Sequence, residues 1–321
     1  MNTKTDPKFI FFGGKGGVGK TTCASAFALG LSRQGKRTLL VSTDLAHSLS
    51  DLFEKPIGGK TVELEPALFG LEIDPDREAQ TYLERIRSGF SHRLEPEAAR
   101  NFSRQLDLAA ASPGTQEAAL FDRVTDILLE SADEFDRIVF DTAPTGQTLR
   151  LLLLPELMGP WIDSLTSQRT RVSSFFQMFS RVSGKPVSED PILGLLKKRK
   201  EKFARCREIM TDPSQTGFYF VLIPEKLPIL ETQKALPRLE KYGVPIRALI
   251  INRILPSGAD GSFLKDRLEQ EKIYLDDVKE RLGKWSLVQL QQRGRDVMGR
   301  KELEAFSKII LKSLLPENSA S

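Results

Sequence analysis

A glycine-rich stretch near the amino terminus is the first place where residue types and spacing indicate chemistry. It reads FFGGKGGVGKTT at residues 11–22, and its last part fits the pattern G-x-x-x-x-G-K-[ST] between a predicted strand and a helical pattern. Glycines let such a loop aim backbone N–H groups at phosphate oxygens, and the helix N-terminus adds its positive dipole end. ATP and Mg²⁺ are therefore the predicted cofactors. The predicted nucleotide-binding residues here are Gly14, Lys15, Gly16, Gly17, Val18, Gly19, Lys20, Thr21 and Thr22.

The loop contains two lysines, and they need different explanations. Lys20 is predicted to contact the β and γ phosphates, while the Thr21 hydroxyl ligates Mg²⁺. Lys15 lies second in the loop, where its side chain cannot easily fold back onto phosphates that its own backbone holds, so we expect it to point outward. An outward cation can act on a nucleotide bound to a neighbouring subunit, as an arginine finger does in trans. Lys15 is thus a predicted catalytic residue of a homodimer; a solvated surface lysine is the alternative.

Two aspartates follow apolar strand patterns and complete the predicted chemistry. Asp44 comes after RTLLVST, at the edge of a parallel sheet where ligands bind, and is predicted to orient or deprotonate the attacking water. Asp141 ends the strand FDRIVFD and is predicted to hold the Mg²⁺ shell through water or through Thr21. For both carboxylates the alternative is a helix N-cap.

The elements that must position these residues alternate along the chain. Short apolar, aromatic and β-branched runs separated by helix-period stretches predict a doubly wound parallel α/β sheet. Two tracts, 75–131 and 155–211, contain no convincing strand and exceed the length of a single crossover helix. We expect a phosphate-loop core of residues 1–74, 132–154 and 212–321, with the two tracts as helical insertions that form a client or effector subdomain.

Composition narrows the class of protein. The chain has 321 residues, of which 40% are hydrophobic and 28% charged, as in globular proteins. Its net charge of +4 is too small to argue for a nucleic-acid partner, and none is expected. Cys23 and Cys206 lie far apart without a CxxC pair, so neither a disulfide framework nor a zinc site is expected. The chain has no signal-peptide pattern and no apolar run long enough to span a membrane, which favours the cytoplasm, with peripheral membrane attachment left open.

Several segments carry a resemblance over nearly the whole chain. GGKGGVGKTT, STDLAHSLSD, ASPGTQEAALFD, DTAPTGQTLRLL, LIPEKLPILETQ and IINR resemble the family of arsenite-pump ATPases and tail-anchored membrane protein targeting ATPases, which are P-loop NTPases with a deviant Walker A loop. The resemblance implies a dimer that closes face to face over two nucleotides, with Lys15 crossing the interface. It also implies that Asn252 recognises adenine and that Glu225 approaches the partner's nucleotide, although an exposed loop glutamate is equally compatible with the sequence. Arg253 departs from the family pattern, which usually has glutamine there.

The family leaves the biological role open between powering arsenite efflux with a membrane pump and delivering hydrophobic client helices to a membrane. A hydrophobic client helix or a membrane partner protein is therefore the expected partner. Arsenite is thiophilic, and an arsenite site would gather several thiolates, which two distant cysteines do not provide. Apolar residues at helical spacing in the second insertion are a candidate client groove, with ordinary core packing as the alternative. These residues are Leu157, Met158, Trp161, Ile162, Phe175, Phe176 and Phe179.

A third interpretation is an ATP-dependent partition or septum-site switch. It predicts a basic DNA-binding face or a terminal amphipathic membrane helix. The segment KELEAFSKIILKSLL at residues 301–315 is amphipathic, but its spacing suits a core-facing final helix equally well.

Overall fold

A computed structural model describes residues 6–44, 48–91, 100, 103, 104, 107, 114–143, 163, 167, 191–258 and 261–315. The chain divides into two compact units. The first comprises Met1–Pro75, Ser131–Leu149 and Met210–Ser321, and the second comprises Asp76–Glu130 and Arg150–Ile209.

The first unit is built on one sheet. Its strands within the described residues are β1 Phe9–Gly14, β2 Thr38–Ser42, β3 Val62–Glu65, β4 Leu68–Glu72, β5 Arg137–Asp141, β6 Thr216–Leu222, β7 Ile246–Ile254 and β8 Leu287–Gln291. Their order is β3-β4-β2-β5-β1-β6-β7-β8. All neighbours pair in parallel except β3, which runs antiparallel to β4 at one edge. The predicted doubly wound α/β fold is confirmed, whereas the two edge strands β3 and β8 were not predicted.

Helices cover the sheet and form most of the described part of the second unit. Those described are α1 Lys20–Arg33, α2 Ser48–Phe53, α3 Pro75–Ser91, α4 Thr115–Glu130, α5 Pro191–Thr211, α6 Lys226–Lys241, α7 Ser262–Leu282 and α8 Gly299–Leu314. No described helix is long and apolar enough to cross a membrane.

The central strands are buried along their whole length. Every residue of β1, β2 and β6 is buried, which explains why their sequences are apolar on both faces instead of alternating. The Phe11 and Phe140 rings stack between adjacent strands with centroids 4.5 Å apart. Such pairs add about 0.5–1.5 kcal/mol to the burial of the rings themselves. The core of the first unit therefore rests on β1 and its two neighbours, the strands that lead to the phosphate loop and to Asp141.

The last helix, α8, contributes its apolar face to the core. Leu303, Phe306 and Ile310 are buried in the same cluster as residues of β1 and α1. Gly30 of α1 lies so close to Leu311 that an added Cβ would come within 2.4 Å of a leucine methyl carbon. Of the two interpretations that the sequence left open for this amphipathic helix, the core-facing one is confirmed.

The second unit contains a polar cluster between its helices. Asp122 and Asp126 of α4 pair with Arg85 of α3 and with Lys202 of α5. Burial lowers the pKa of Lys202, but the two carboxylates outweigh it and hold that pKa above its ordinary value. Lys202 therefore pairs with carboxylates of its own unit.

Candidate functional site

The predicted site residues follow adjacent strands. In the observed order, β2, β5, β1, β6 and β7 lie side by side and run parallel. In this order β2 lies to one side of β1 and β6 lies to the other, so the direction of strand addition reverses at β1. Ligands of open α/β sheets bind at such a reversal, at the carboxyl edge of the strands. The loop after β1 lies at this point.

The phosphate loop connects β1 directly to α1 and depends on two glycines. Gly14 has φ +147°, and a Cβ there would lie 2.2 Å from the carbonyl oxygen of Val221. Gly19 has φ +94°, and a Cβ there would lie 2.5 Å from the side-chain nitrogen of Asn252. A larger residue at either position would collide with a neighbouring strand or its side chain, because both neighbours are held in place by the sheet.

Lys20 opens α1 and is buried, with its ammonium donating to the carbonyl oxygen of Lys15 at 3.4 Å. Thr21 follows, and its hydroxyl donates to Oδ2 of Asp141 at 2.6 Å. The loop lysine, the threonine hydroxyl and the strand-terminal carboxylate are therefore brought together at the start of one helix. The threonine hydroxyl and the carboxylate are hard oxygen ligands, which Mg²⁺ prefers.

Asp141 carries the strongest electrostatic signal of this site. Burial raises its pKa to about 7, although the hydrogen bond from Thr21 and the charge of Lys20 act in the opposite direction, and the charge of Asp44 adds to the rise. Its other oxygen, Oδ1, is buried and has no hydrogen-bond partner among the described residues. A buried carboxylate oxygen without a donor fits a metal-bound water, so the residues present suit Mg²⁺.

Asp44 follows β2, and its backbone N–H donates to the Ser42 hydroxyl at 3.2 Å. The preceding residue, Thr43, ties this segment to the one after β5. Its N–H donates to the carbonyl of Asp141 at 2.9 Å, and its hydroxyl accepts from the N–H of Ala143 at 3.2 Å. The segments that follow β2 and β5 are thus joined at their bases.

The far end of the Asp44 segment is held by a residue that sequence reasoning missed. Glu72, at the end of β4, is buried, and its Oε1 accepts the N–H groups of Leu49 at 2.9 Å and Ser50 at 3.2 Å. A carboxylate at a helix start satisfies free N–H groups and complements the helix dipole. Helix α2 is therefore anchored immediately after the Asp44 segment.

Lys15 is held by a helix outside its own loop. Its ammonium lies 3.0 Å from Oε1 of Glu231 on α6, and both side chains are partly exposed. Glu231 could not be selected from the sequence, since it is one of several charged residues in an amphipathic helix. An exposed pair of this kind contributes about 0.2–1 kcal/mol, so it can be exchanged for another partner at little cost.

The two residues taken from the resemblance lie on β7 and at the start of α6. Asn252 is buried at the end of β7, and its side-chain nitrogen donates to the carbonyl of Val18 at 2.9 Å. This bond occupies part of the amide, so pairing of Asn252 with adenine stays a prediction. Glu225 sits at the cap position before α6, is about half exposed, and lies 4.0 Å from Arg267 on α7.

Comparison with known proteins identifies the family. The model of the anion-transporting ATPase family matches residues 7–312. The chain belongs to the anion-transporting ATPase family. It is 38% identical over 303 residues to the putative arsenical pump-driving ATPase 2 of Aquifex aeolicus, covering 94% of this chain and 99% of that protein.

Two eukaryotic relatives extend the similarity of this ATPase. It is 33% identical over 314 residues to the ATPase ASNA1 homolog of Dictyostelium discoideum, which covers 96% of this chain and 91% of the relative. It is 34% identical over 298 residues to ATPase GET3B of Arabidopsis thaliana, which covers 87% of this chain and 72% of the relative. The resemblance stated from the sequence motifs is confirmed. Membership implies the use of a nucleotide.

The ATPase has a cavity of about 530 Å³ beside the phosphate loop. Thr22, Asn252 and Arg253 line it, together with residues of the segment 291–298. That segment begins with QQRGR, whose two glutamines and two arginines all line the cavity. Arg253 adopts φ +58°, which is uncommon for a residue with a side chain, where β7 loses register with β8. The departure of Arg253 from the family pattern was noticed in the sequence, but its place in the cavity wall was not predicted.

The remaining predictions about this ATPase concern its cysteines and its client groove. Burial raises the pKa of Cys23 to about 12 and that of Cys206 to about 11. Both thiols are therefore protonated and shielded at neutral pH. The candidate groove residues between 157 and 179 lie outside the described residues.

Proposed function

We propose that this ATPase works as a homodimer that ATP closes, and that closure is coupled to binding a hydrophobic client helix for delivery to a membrane. The main support for the homodimer is the position of Lys15. Its ammonium pairs with Glu231, and both side chains are partly exposed. Of the two loop lysines, only Lys20 is buried, at the start of α1. A loop that keeps one lysine for its own phosphates and a second on the surface is suited to a nucleotide in another subunit.

Within one subunit we assign the steps of ATP hydrolysis to four residues. The loop N–H groups and Lys20 bind the phosphates, and Thr21 and Asp141 are the residues that would hold Mg²⁺. Bound Mg²⁺ would neutralise phosphate charge and orient the triphosphate. Asp44 orients and deprotonates the attacking water. The hydrogen bonds of the neighbouring Thr43 to Asp141 and Ala143 keep the Asp44 carboxylate near the site. Lys15 of the other subunit compensates the charge that develops on the leaving phosphate.

Three substitutions test these roles separately. Lys20→Ala is expected to abolish binding of a fluorescent ATP analogue, and Asp44→Asn to leave binding intact while phosphate release stops. Lys15→Ala is expected to bind nucleotide but to lose the ATP-dependent doubling of mass in sedimentation velocity. Lys36→Ala, an exposed lysine at the other end of α1, is the matched control. Normal turnover by Asp44→Asn, or normal dimerisation by Lys15→Ala, would contradict the assigned role.

A second candidate function is the ATPase subunit of an arsenite efflux pump, which the name of the Aquifex relative favours. The buried thiols argue against thiol-mediated activation by arsenite. Phosphate release measured with arsenite and, separately, with a hydrophobic tail-anchor peptide distinguishes the two. We expect the peptide to change turnover and arsenite to leave it unchanged; stimulation by arsenite would reverse this ranking.

A further inference from the structure

The cavity beside the phosphate loop contains a backbone irregularity that the proposed function does not use. Strand β7 loses register with β8 between Ile251 and Ile254, and within this interval Arg253 adopts φ +58°. Successive side chains of a regular strand point to opposite faces of the sheet. Here Asn252 and Arg253 line the same cavity, because a bulge re-aims one of the two side chains. A residue with a side chain is strained at positive φ, and such strain concentrates at ligand sites.

The Arg253 guanidinium lies close to the helix that begins at the phosphate loop. Burial and the charge of Asp141 raise the pKa of Cys23 on α1, whereas the charge of Arg253 acts in the opposite direction. The cavity also touches Thr21 and Thr22 in the first turn of α1, and its volume is about 530 Å³. Small-molecule sites have volumes of about this order. A nucleotide whose phosphates lie on the loop therefore has its base within reach of this cavity.

The donors of Arg253 are available to such a base. Arg253 forms no hydrogen bond or ion pair with any residue that the structure describes. A guanidinium offers only donors, arranged as a fork. Guanine presents two acceptors on one edge, O6 and N7, whereas adenine presents its N7 acceptor beside the N6 amino donor. The fork therefore matches guanine, while an amide, with one acceptor beside one donor, matches adenine.

Two other residues of the cavity fit this interpretation. Asp296 lines it without an ion pair to another described residue, and a carboxylate can accept from the N1–H and 2-amino groups of guanine. The side-chain nitrogen of Asn252 donates to the carbonyl of Val18, which leaves its oxygen and one N–H for adenine. The adjacent residues 252 and 253 therefore provide one partner for each purine.

We propose that Arg253 makes GTP a second substrate of this ATPase, by pairing with O6 and N7 of guanine. The glutamine that is usual in the family at this position would match adenine instead. GTP carries the same triphosphate as ATP, so the same residues would hydrolyse it with water to GDP and phosphate. The inference goes beyond the proposed homodimer and does not depend on it, since one chain supplies the whole cavity.

The test is competition for a fluorescent ATP analogue on the full chain with Mg²⁺. ATP, GTP and ITP are the competitors, and ITP keeps O6 and N7 of guanine but lacks the 2-amino group. We expect GTP and ITP to bind with dissociation constants within about tenfold of that of ATP, because each base then has one bidentate partner. Phosphate release from GTP is expected as well.

Substitutions of Arg253 test whether this side chain reads the base. Arg253→Gln is expected to weaken GTP and ITP about 5- to 140-fold relative to ATP, the factor that one bidentate base contact contributes. Arg253→Gly should act in the same direction, and it keeps the bulge because glycine adopts positive φ without strain. Arg295→Gln is the matched control, since it removes a guanidinium from the same cavity but outside the bulge. It should leave the ratio of GTP to ATP affinity unchanged.

Several results would overturn the inference. GTP that binds more than about tenfold weaker than ATP, or that yields no phosphate, is not a second substrate. An equal loss of ATP and GTP affinity in the Arg253 variants would mean that the guanidinium acts through its charge on the shared triphosphate. Binding of GTP without binding of ITP would place recognition at the 2-amino group, away from Arg253. None of these outcomes depends on the oligomeric state, so the homodimer stands or fails separately.

Discussion

At the scale of single residues, Asp141 determines how the site responds to pH. Its pKa in the folded state is raised to about 7 by burial, from an ordinary value of 3.8. Between those values the folded protein holds a proton that the unfolded chain releases, so the stability contributed by this group is lost as pH rises from about 4 to 7. A charged Asp141 above that window is the form that would hold Mg²⁺, so the protein without metal is less stable in the ionisation state that suits the ion.

We therefore expect Asp141→Asn to remove this part of the pH dependence. Urea unfolding in EDTA without nucleotide, at pH 5 and pH 8, should show a smaller loss of unfolding free energy in the variant than in the unsubstituted protein. Other groups with raised pKa, such as Glu271, are common to both proteins and cancel in the comparison. Equal pH dependence in the two would show that Asp141 ionises in the fold at its ordinary pH. The variant is also expected to lose Mg²⁺-dependent phosphate release.

At the scale of elements, the contact between α1 and α8 sets the orientation of the helix that begins at the phosphate loop. Gly30 allows α8 to approach, since a Cβ there would lie 2.4 Å from Leu311. Alanine in a helix normally gains about 1 kcal/mol over glycine, whereas overpacking costs about 1–3 kcal/mol. Gly30→Ala is therefore expected to lower the unfolding free energy by about 1 kcal/mol.

A second substitution at Leu311 tests whether its contact with residue 30 causes the loss of unfolding free energy. In a Leu311→Ala background, Gly30→Ala should cost nothing or stabilise, which a double-mutant cycle of urea unfolding measures. Gly194→Ala in α5, where no atom lies within 4 Å of the added Cβ, should show only the helix-propensity gain. Additive losses in the cycle would contradict the packing argument.

The sequence predicted those elements whose signal is local. FIFF and FYFVL are apolar on both faces because both faces are covered, and the phosphate loop is one continuous segment, so both were found. The edge strands VELE and LVQLQ are only four and five residues long and contain polar residues, so neither forms a continuous apolar run. The Glu231 partner of Lys15 and the Glu72 anchor of α2 depend on contacts between distant segments, which no local pattern reveals. The placement of Arg253 in the cavity wall depends on such contacts too.

At the scale of the whole molecule, the thiols report on the intact fold. Cys23 lies in the core of the first unit and Cys206 is buried in the second, each with a raised pKa. We expect almost no reaction with Ellman's reagent in the native protein and two reactive thiols in guanidinium chloride. Thiol labelling at increasing denaturant would show whether the two units open together. Rapid labelling of the native protein would remove the argument against a thiol-based arsenite response.

The bonds of Thr43 bear on how this ATPase transmits information. A single residue, Thr43, joins the chain leaving β2 to the chain leaving β5 through its backbone N–H and its hydroxyl, so a shift of either segment strains these bonds. Any coupling of binding free energies between the two segments is reciprocal, because thermodynamic linkage requires it. A ligand that favoured one arrangement of the segment after β5 would change the nucleotide affinity at the segment after β2, and nucleotide would change the affinity for that ligand by the same factor. One coupling free energy would then describe both the effect of ligand on nucleotide affinity and the effect of nucleotide on ligand affinity.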